Sequence, residues 1–222
     1  MLNIKELYFN YPQSDFQLQI DQLEFQKGKT HALIGPSGSG KTTLLNLIAG
    51  ISIPQKGNII YKNIEINRLS ESERRAFRIS KIGFVFQDFK LINYLSVFEN
   101  IMLPYRINTR LKSDPQINDR ISTLSEYAGI SKYLSKYPKH LSQGERQRVA
   151  ICRALVTQPE LVLADEPTGN LDPKNKKKIL ELLFKYCREK NTTLITVTHD
   201  HELLPDFDEV IDFSKLLVED AT

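Results

Sequence analysis

An α/β fold carrying a helical insertion is predicted for this chain, and three observations predict it. The apolar run His31-Ala-Leu-Ile34 leads into the glycine-rich Gly35-Pro-Ser-Gly-Ser-Gly-Lys41-Thr42-Thr43 and then into Leu44-Leu-Asn-Leu-Ile-Ala49. That succession reads as strand, turn and helix. A second apolar run, Leu161-Val-Leu-Ala164, ends in Asp165-Glu166-Pro167, as a buried strand does when its acid emerges at the ligand-binding edge of an open sheet. From Ser96 to Thr157 the pattern is helical, so the α/β core is interrupted at about residues 88–157.

The elements follow in order. Leu2–Tyr8, Leu18–Phe25 and Thr30–Ile34 read as strands separated by turn formers such as Pro12 and Gly28. The polar alternation of Met1-Leu-Asn-Ile-Lys5-Glu6 resembles a strand and not a signal peptide. After the first helix, Pro54 and Gly57 break the pattern and Asn58–Tyr61 is again a strand. Ser70-Glu-Ser-Glu-Arg-Arg75 starts a short charged helix, and Lys81–Phe86 is a strand followed by Gln87. Ser96-Val-Phe-Glu99 and Ser142-Gln-Gly-Glu145 have capping-box spacing, in which the hydroxyl and the carboxylate each satisfy an orphan helix-end amide. Strand character returns at Glu160–Asp165 and Thr192–Val197, with a helix from about Pro173 to Lys190 between them. Asp172 before Pro173 is a good N-cap and first-turn pair. The chain contains no internal repeat and no low-complexity tract.

At 222 residues the chain suits one large domain with a subdomain. Its 41% hydrophobic and 26% charged content is that of a globular protein. With 30 basic and 27 acidic residues the net charge is only +3, which argues against nucleic acid as the main partner. No apolar stretch approaches the roughly 20 residues that span a bilayer. Cys152 and Cys187 lie far apart in helical patterns, outside metal-ligand spacing, and read as reduced, partly buried thiols in the cytosol.

The glycine-rich turn carries chemistry. Glycines let successive backbone amides face phosphate oxygens, and the following helix N-terminus adds partial positive charge. Gly35, Ser37, Gly38, Ser39, Gly40, Lys41, Thr42 and Thr43 are therefore the nucleotide-contacting candidates. Lys41 would reach the β- and γ-phosphates, and the Thr42 hydroxyl would ligate Mg²⁺. Asp165 would hold Mg²⁺ through water, and Glu166 would orient or deprotonate an attacking water. The plain alternatives are a glycine-rich turn and a solvated acidic turn, and the pairing of the two segments disfavours both. Ser142 and Gly144 make a second helix terminus suited to an anion, or else an ordinary capped helix.

Leu141-Ser-Gln-Gly-Glu-Arg-Gln-Arg-Val-Ala-Ile-Cys-Arg-Ala-Leu155 closely resembles the signature motif of the ABC-transporter ATPases, with the expected spacing to Leu161–Glu166. Within that family, Ile82-Gly-Phe-Val-Phe-Gln87 and Ala164-Asp-Glu-Pro-Thr-Gly-Asn-Leu-Asp172 look most like the lipoprotein-releasing, macrolide-export and cell-division ATPases. The resemblance covers nearly the whole chain. It implies a P-loop NTPase (RecA-like) core over 1–87 and 158–222, with an antiparallel β subdomain and an inserted α-helical subdomain over 88–157. Gln87 then resembles the Q-loop glutamine that contacts Mg²⁺ or the attacking water. Asn170-Leu171-Asp172 resembles the D-loop, with Asp172 a nucleotide-site candidate. His199 in Thr196-Val-Thr-His-Asp200 resembles the γ-phosphate sensor, against the alternative of a capping or core histidine. Tyr11 matches the aromatic that stacks on adenine, with Tyr8 and Phe9 as competitors. His31, His140 and His201 match no family site. Gln143 stands where the family usually has glycine, and Phe207–Val218 lacks the usual basic-glycine turn.

The resemblance further implies ATP and Mg²⁺ as ligands, and ATP hydrolysis at the interface of a head-to-tail homodimer. One chain would supply the P-loop and the other Ser142 and Gly144. It implies a separate integral membrane permease subunit, which would hold this chain at the cytoplasmic face of the cell membrane. The apolar Phe89, Leu91, Ile92, Tyr94 and Leu95 would pack the helical subdomain or line a groove for a helix of that subunit. Lys174–Lys178 reads as a solvated helix face, with a lipid-headgroup role as the lesser alternative. Two functions share every motif: a transporter of export or lipoprotein-release type, and a cell-division-type ATPase that signals through its membrane partner without moving a substrate. A soluble ABC ATPase acting on ribosomes or DNA would call for two cassettes, a coiled-coil insertion or a basic extension, and the sequence contains none of these.

Overall fold

The computed structural model describes residues 1–108, 111, 115–169 and 171–216, without the side chain of Lys174. Among the described residues two sheets are present. Strands β1 (Leu2–Asn10), β2 (Gln17–Phe25), β4 (Lys56–Tyr61) and β5 (Ile64–Glu65) form an antiparallel sheet in the order β2-β1-β4-β5. Strands β3 (Thr30–Ile34), β6 (Ile82–Val85), β7 (Leu161–Asp165), β8 (Thr193–Val197) and β9 (Glu209–Asp212) form a parallel sheet in the order β6-β7-β8-β3-β9. All four pairings in the second sheet are parallel.

Local chemistry fixes the helices. Helices α2 (Glu71–Lys81), α3 (Val97–Ile107) and α5 (Gln143–Leu155) each start on a complete capping box, at Ser70/Glu73, Ser96/Glu99 and Ser142/Glu145. Helix α6 (Pro173–Lys190) starts on Asp172, whose carboxylate accepts the Asn175 amide, and ends on Asn191 in the left-handed conformation. Helix α4 (Ile117–Tyr127) stands between α3 and α5. The predicted helical run is thus three helices and short 3₁₀ turns, because Asn108 and the Tyr137-Pro138 step leave helical geometry.

Strands β7 and β8 are buried on both faces and their side chains alternate between two cores. Leu161, Leu163, Ile195 and Val197 join the antiparallel sheet and helix α1 (Lys41–Ile48), whose Leu44, Leu45, Leu47 and Ile48 are fully enclosed. Val162, Ala164 and Leu194 face α3, α4, α5 and α6. The two cysteines are free and fully enclosed, and burial pushes each thiol up to about 12. That is deeper than the partial burial expected.

Strand β6 approaches α5 unusually closely. A Cβ on Gly83 would lie 2.4 Å from the Ala154 carbonyl oxygen and 3.0 Å from Pro159 Cγ. Gly83→Ala should therefore destabilise the fold by about 1–3 kcal/mol through overpacking. Urea unfolding tests this, and a midpoint equal to that of the parent would refute the close approach.

Candidate nucleotide-binding site

The C-terminal edges of four adjacent parallel strands bring the motifs together. Along the edge, β6 delivers Gln87, β7 delivers Asp165 and Glu166, β8 leads to His199, and β3 runs into the glycine-rich turn. The parallel register pairs Asp165 with Val197 and Leu33 with Val197, which sets these strand ends level. A cavity of about 570 Å³ opens there, lined by the turn, Thr42, Thr43, Gln87, Glu166 and His199, with Phe16 at its rim.

Gly40 is the N-cap of α1 with φ of 101°, a conformation that disfavours any residue with a Cβ. A Cβ there would also meet the Phe16 ring at 2.8 Å. Lys41 is buried and arches over its own loop. Its Nζ donates to the carbonyls of Gly35 at 2.9 Å and Pro36 at 2.6 Å, and to Ser39 Oγ at 3.4 Å. Burial lowers the ammonium pKa, and Glu166 and Asp165 oppose that shift.

Glu166 has φ of 44°, and its amide donates to the Val197 carbonyl at 3.0 Å. Its two carboxylate oxygens have different partners. Gln87 Nε2 donates to Oε2 at 3.1 Å, and His199 Nδ1 lies 3.2 Å from Oε1. A carboxylate so bracketed faces the cavity with both oxygens oriented. Beside it, the Thr42 hydroxyl donates to Asp165 Oδ1 at 3.1 Å. Burial, more than any other cause, raises the Asp165 carboxyl above its ordinary value; Thr42 opposes this and the Glu166 charge adds to it.

Among the described residues no cluster of three His, Cys, Asp or Glu side chains is built for a metal. Mg²⁺ in phosphate sites does not need one, since it takes a hydroxyl or one carboxylate and completes its shell with phosphate oxygens and water. The adjacent hydroxyl of Thr42 and buried carboxylate of Asp165 fit that donor set.

Other candidates stand apart. Ser142 and Gly144 do not line the cavity. Ser142 is exposed and engaged in its own cap, donating its amide to Glu145 Oε2 at 2.8 Å and accepting the Glu145 amide at 3.3 Å. The space a Cβ would occupy at Gly144 faces Asn175 at the start of α6, so its close approach is to its own chain. Asp172 caps α6 away from the cavity lining, and Asn170 lies outside the described residues. Tyr11 is 38% exposed, and its hydroxyl is 3.2 Å from Thr43 Oγ1. Of its competitors, Phe9 is buried in the core and Tyr8 lies under Lys56.

Phe16 went unnoticed in the sequence. Its ring packs on Tyr11 at 5.8 Å and on Gly40. A lone aromatic in the polar turn Gln13-Ser-Asp-Phe16 was the available signal. Lys176 also departs from a simple solvated face, because its Nζ pairs with Asp200 at 2.6 Å and ties α6 to the segment after His199.

The sequence profile of the ABC transporter family matches residues 18–169, and the chain belongs to that family. It is 43% identical over 212 residues to the lipoprotein-releasing system ATP-binding protein LolD 1 of Rhodopirellula baltica, covering 94% of this chain and 92% of that protein. It is 39% identical to the macrolide export ATP-binding/permease protein MacB of the same organism, covering 95% of this chain but only 31% of MacB. Among solved structures it resembles the dimeric ATP-binding cassette MJ0796 bound to ADP and Pi, at 34% identity and a TM-score of 0.86, covering 96% and 94% of the two chains. The fold is accordingly the P-loop ATPase fold of ABC cassettes.

The raised Asp165 carboxyl has a stability consequence. The folded chain holds that proton more tightly than the unfolded chain, so stability falls as pH rises from the ordinary value of 3.8 through the raised one. Asp165→Asn should therefore unfold at a higher temperature than the parent near neutral pH. The gap should narrow as pH falls through the raised value and close below 3.8. Thermal scans across pH test this; a variant no more stable than the parent at neutral pH refutes it.

Proposed function

We propose that this chain is the ATP-hydrolysing subunit of an ABC transporter of the export or lipoprotein-release type. It would act as a head-to-tail homodimer beneath a separate integral membrane permease subunit. The observation that carries the reading is a separation. Gln87, Glu166, His199 and the glycine-rich turn share one cavity, while the capped helix at Ser142 and Gly144 stands outside it. A triphosphate carries several negative charges, and one helix N-terminus with one lysine leaves part of them exposed. A second helix N-terminus from another copy covers the rest. The names of the relatives and the dimeric neighbour point the same way.

In this reading Gly35, Ser37, Gly38, Ser39, Gly40 and Thr43 cradle the phosphates and Lys41 neutralises them, while Tyr11, with Phe16 beside it, stacks on adenine. Thr42, Asp165 and Gln87 would hold Mg²⁺, which would neutralise charge on the phosphate oxygens. The water oxygen bonds to the γ-phosphorus as the bond to the β–γ bridging oxygen breaks, and Glu166 accepts the proton. Gln87 and His199 keep the Glu166 carboxylate aimed, and His199 holds the γ-phosphate. Asp172 faces the second copy. The chain is one cassette, with 1–87 and 158–222 as core and 88–157 as helical subdomain.

Among the described residues no helix is long and apolar enough to cross a membrane. Membrane attachment would come through the permease, against the surface that includes the partly buried Phe89 and the 80% exposed Tyr94, while Leu91 packs on the helical core. In this reading the chain sits peripherally at the cytoplasmic face of the membrane.

Glu166→Gln should keep ATP binding, lose most turnover and accumulate an ATP-dependent dimer on gel filtration. Turnover like that of the parent removes Glu166 from the base role. Lys41→Ala should instead weaken ATP binding itself, because its charge meets the phosphates in the ground state as well. Unchanged affinity by isothermal titration defeats the phosphate assignment.

The composite site has its own test. Lys41→Ala and Ser142→Arg, each unable to dimerise with ATP alone, should partly recover ATP-driven association when mixed. One of the two sites in a mixed dimer then carries neither lesion. No recovery in demonstrated mixtures would place the whole site within one chain.

A further inference from the structure

We propose that Arg153 is a positioning residue for Gln87. Its guanidinium, forked over two backbone carbonyls, holds the turn after Gln87 in the conformation that seats the glutamine amide on Glu166.

Beyond β6 the chain runs Phe86-Gln87-Asp88-Phe89-Lys90, and Phe89 and Lys90 have φ of 62° and 47°. Two successive residues with side chains in the left-handed region are disfavoured by clash of Cβ with the backbone. Such a conformation persists only where the surroundings over-determine it. The local contacts are a Phe89 amide donating to the Phe86 carbonyl at 3.1 Å, a 2.5 Å Lys90 amide contact to the Asp88 carbonyl, and a Lys90–Asp88 ion pair at 2.7 Å. That ion pair is more than half exposed on both sides and holds little.

The long-range contact is Arg153. Nη2 donates to the Phe89 carbonyl and Nη1 to the Lys90 carbonyl, each at 2.6 Å. The planar fork of a guanidinium can grip two consecutive carbonyls at once, which an ammonium cannot do. Burial pulls the Arg153 group down to about 10. Among the described residues no carboxylate forms an ion pair with it, and the two turn carbonyls are its hydrogen-bond partners. A partly buried cation placed against two strained peptides has more to do than pack.

Arg153 sits in the last turn of α5, and Ser142 caps the first. They lie eleven positions apart, roughly 16 Å along a helix axis. One rigid rod therefore ends at the terminus proposed to serve a second copy's ATP and, through Arg153, at the turn that seats Gln87 beside Glu166. A displacement of the rod at Ser142 reaches the chain's own carboxylate. The kinetic part of this inference rests on the ATPase reading above.

The test uses the whole chain, with Arg153→Met, Arg153→Lys and Arg153→Met combined with Lys90→Gly. Arg153→Met should speed amide hydrogen exchange at residues 87–91 and lower kcat about tenfold, within the range that indirect coupling carries. The KM for ATP should stay within about twofold of the parent. Arg153→Lys should recover little. Lys90→Gly should restore most of the lost turnover in the Met background, because glycine adopts the left-handed conformation without help; a role in fold stability alone would not respond in this way. Unchanged exchange at 87–91, a loss confined to KM, or a kcat loss that Lys90→Gly leaves in place would each overturn the proposal. If Arg153→Met does not fold, Arg153→Lys decides by the same exchange and kcat readouts. If the parent hydrolyses no ATP, the ATPase reading falls, and exchange at 87–91 still decides whether Arg153 holds the turn.

Discussion

Everything at the cavity depends on strand β7 being buried along its whole length while ending in two acids. Its five residues are enclosed between β6 and β8, with hydrophobic layers on both faces. A strand in that position cannot shift register without moving side chains from one core to the other. Its end is therefore fixed, and with it Asp165 and Glu166. The chain contains the resulting charge by local means: a hydroxyl from Thr42 on Asp165, and an amide and an imidazole on Glu166. The raised Asp165 carboxyl shows that the containment is incomplete. Two neighbouring acids at the end of one buried strand leave this edge of the sheet under electrostatic tension of its own.

What was legible in the sequence follows from how local its causes are. The start of helix Pro173–Lys190 was readable because Asp172 and Pro173 define it by short-range chemistry. Strand Thr30–Ile34 was readable because a glycine-rich turn ends it. The order of the motifs was legible too, and the parallel sheet then gathers four of them at one edge. The bracketing of Glu166 was not, since it depends on which strands are neighbours and not on spacing along the chain. Strands β5 and β9 went unread for the same reason: two and four residues long, they exist because β4 and β3 offer free edges. Phe9 competed with Tyr11 in the sequence, and the pairing of β1 with β2 places it inside.

The first turn of α6 joins otherwise separate parts of the chain. Asp172 caps the helix, Asn175 lies against Gly144 of α5, and Lys176 pairs with Asp200 next to His199. A single helical turn thus touches the capped helix outside the cavity and the segment that carries a residue inside it. The ion pair is only 30% and 13% exposed on its two sides, so water and salt weaken it less than a surface pair. It makes the first turn of α6 a rigid spacer between the two.

The alternation of side chains along the central strands also bears on how such a chain can change over evolutionary time. Leu161 and Leu163 see α1 and the antiparallel sheet, whereas Val162 and Ala164 see the helices of the insert. The parallel sheet is therefore a partition, and volume changes in one compartment are absorbed by neighbours in that same compartment. Substitutions among α3, α4 and α5 can accumulate and compensate one another while the layer under the glycine-rich turn stays as it is. The freedom ends at the surface of that compartment, where Gly144 of α5 faces Asn175 and Arg153 grips the carbonyls of Phe89 and Lys90.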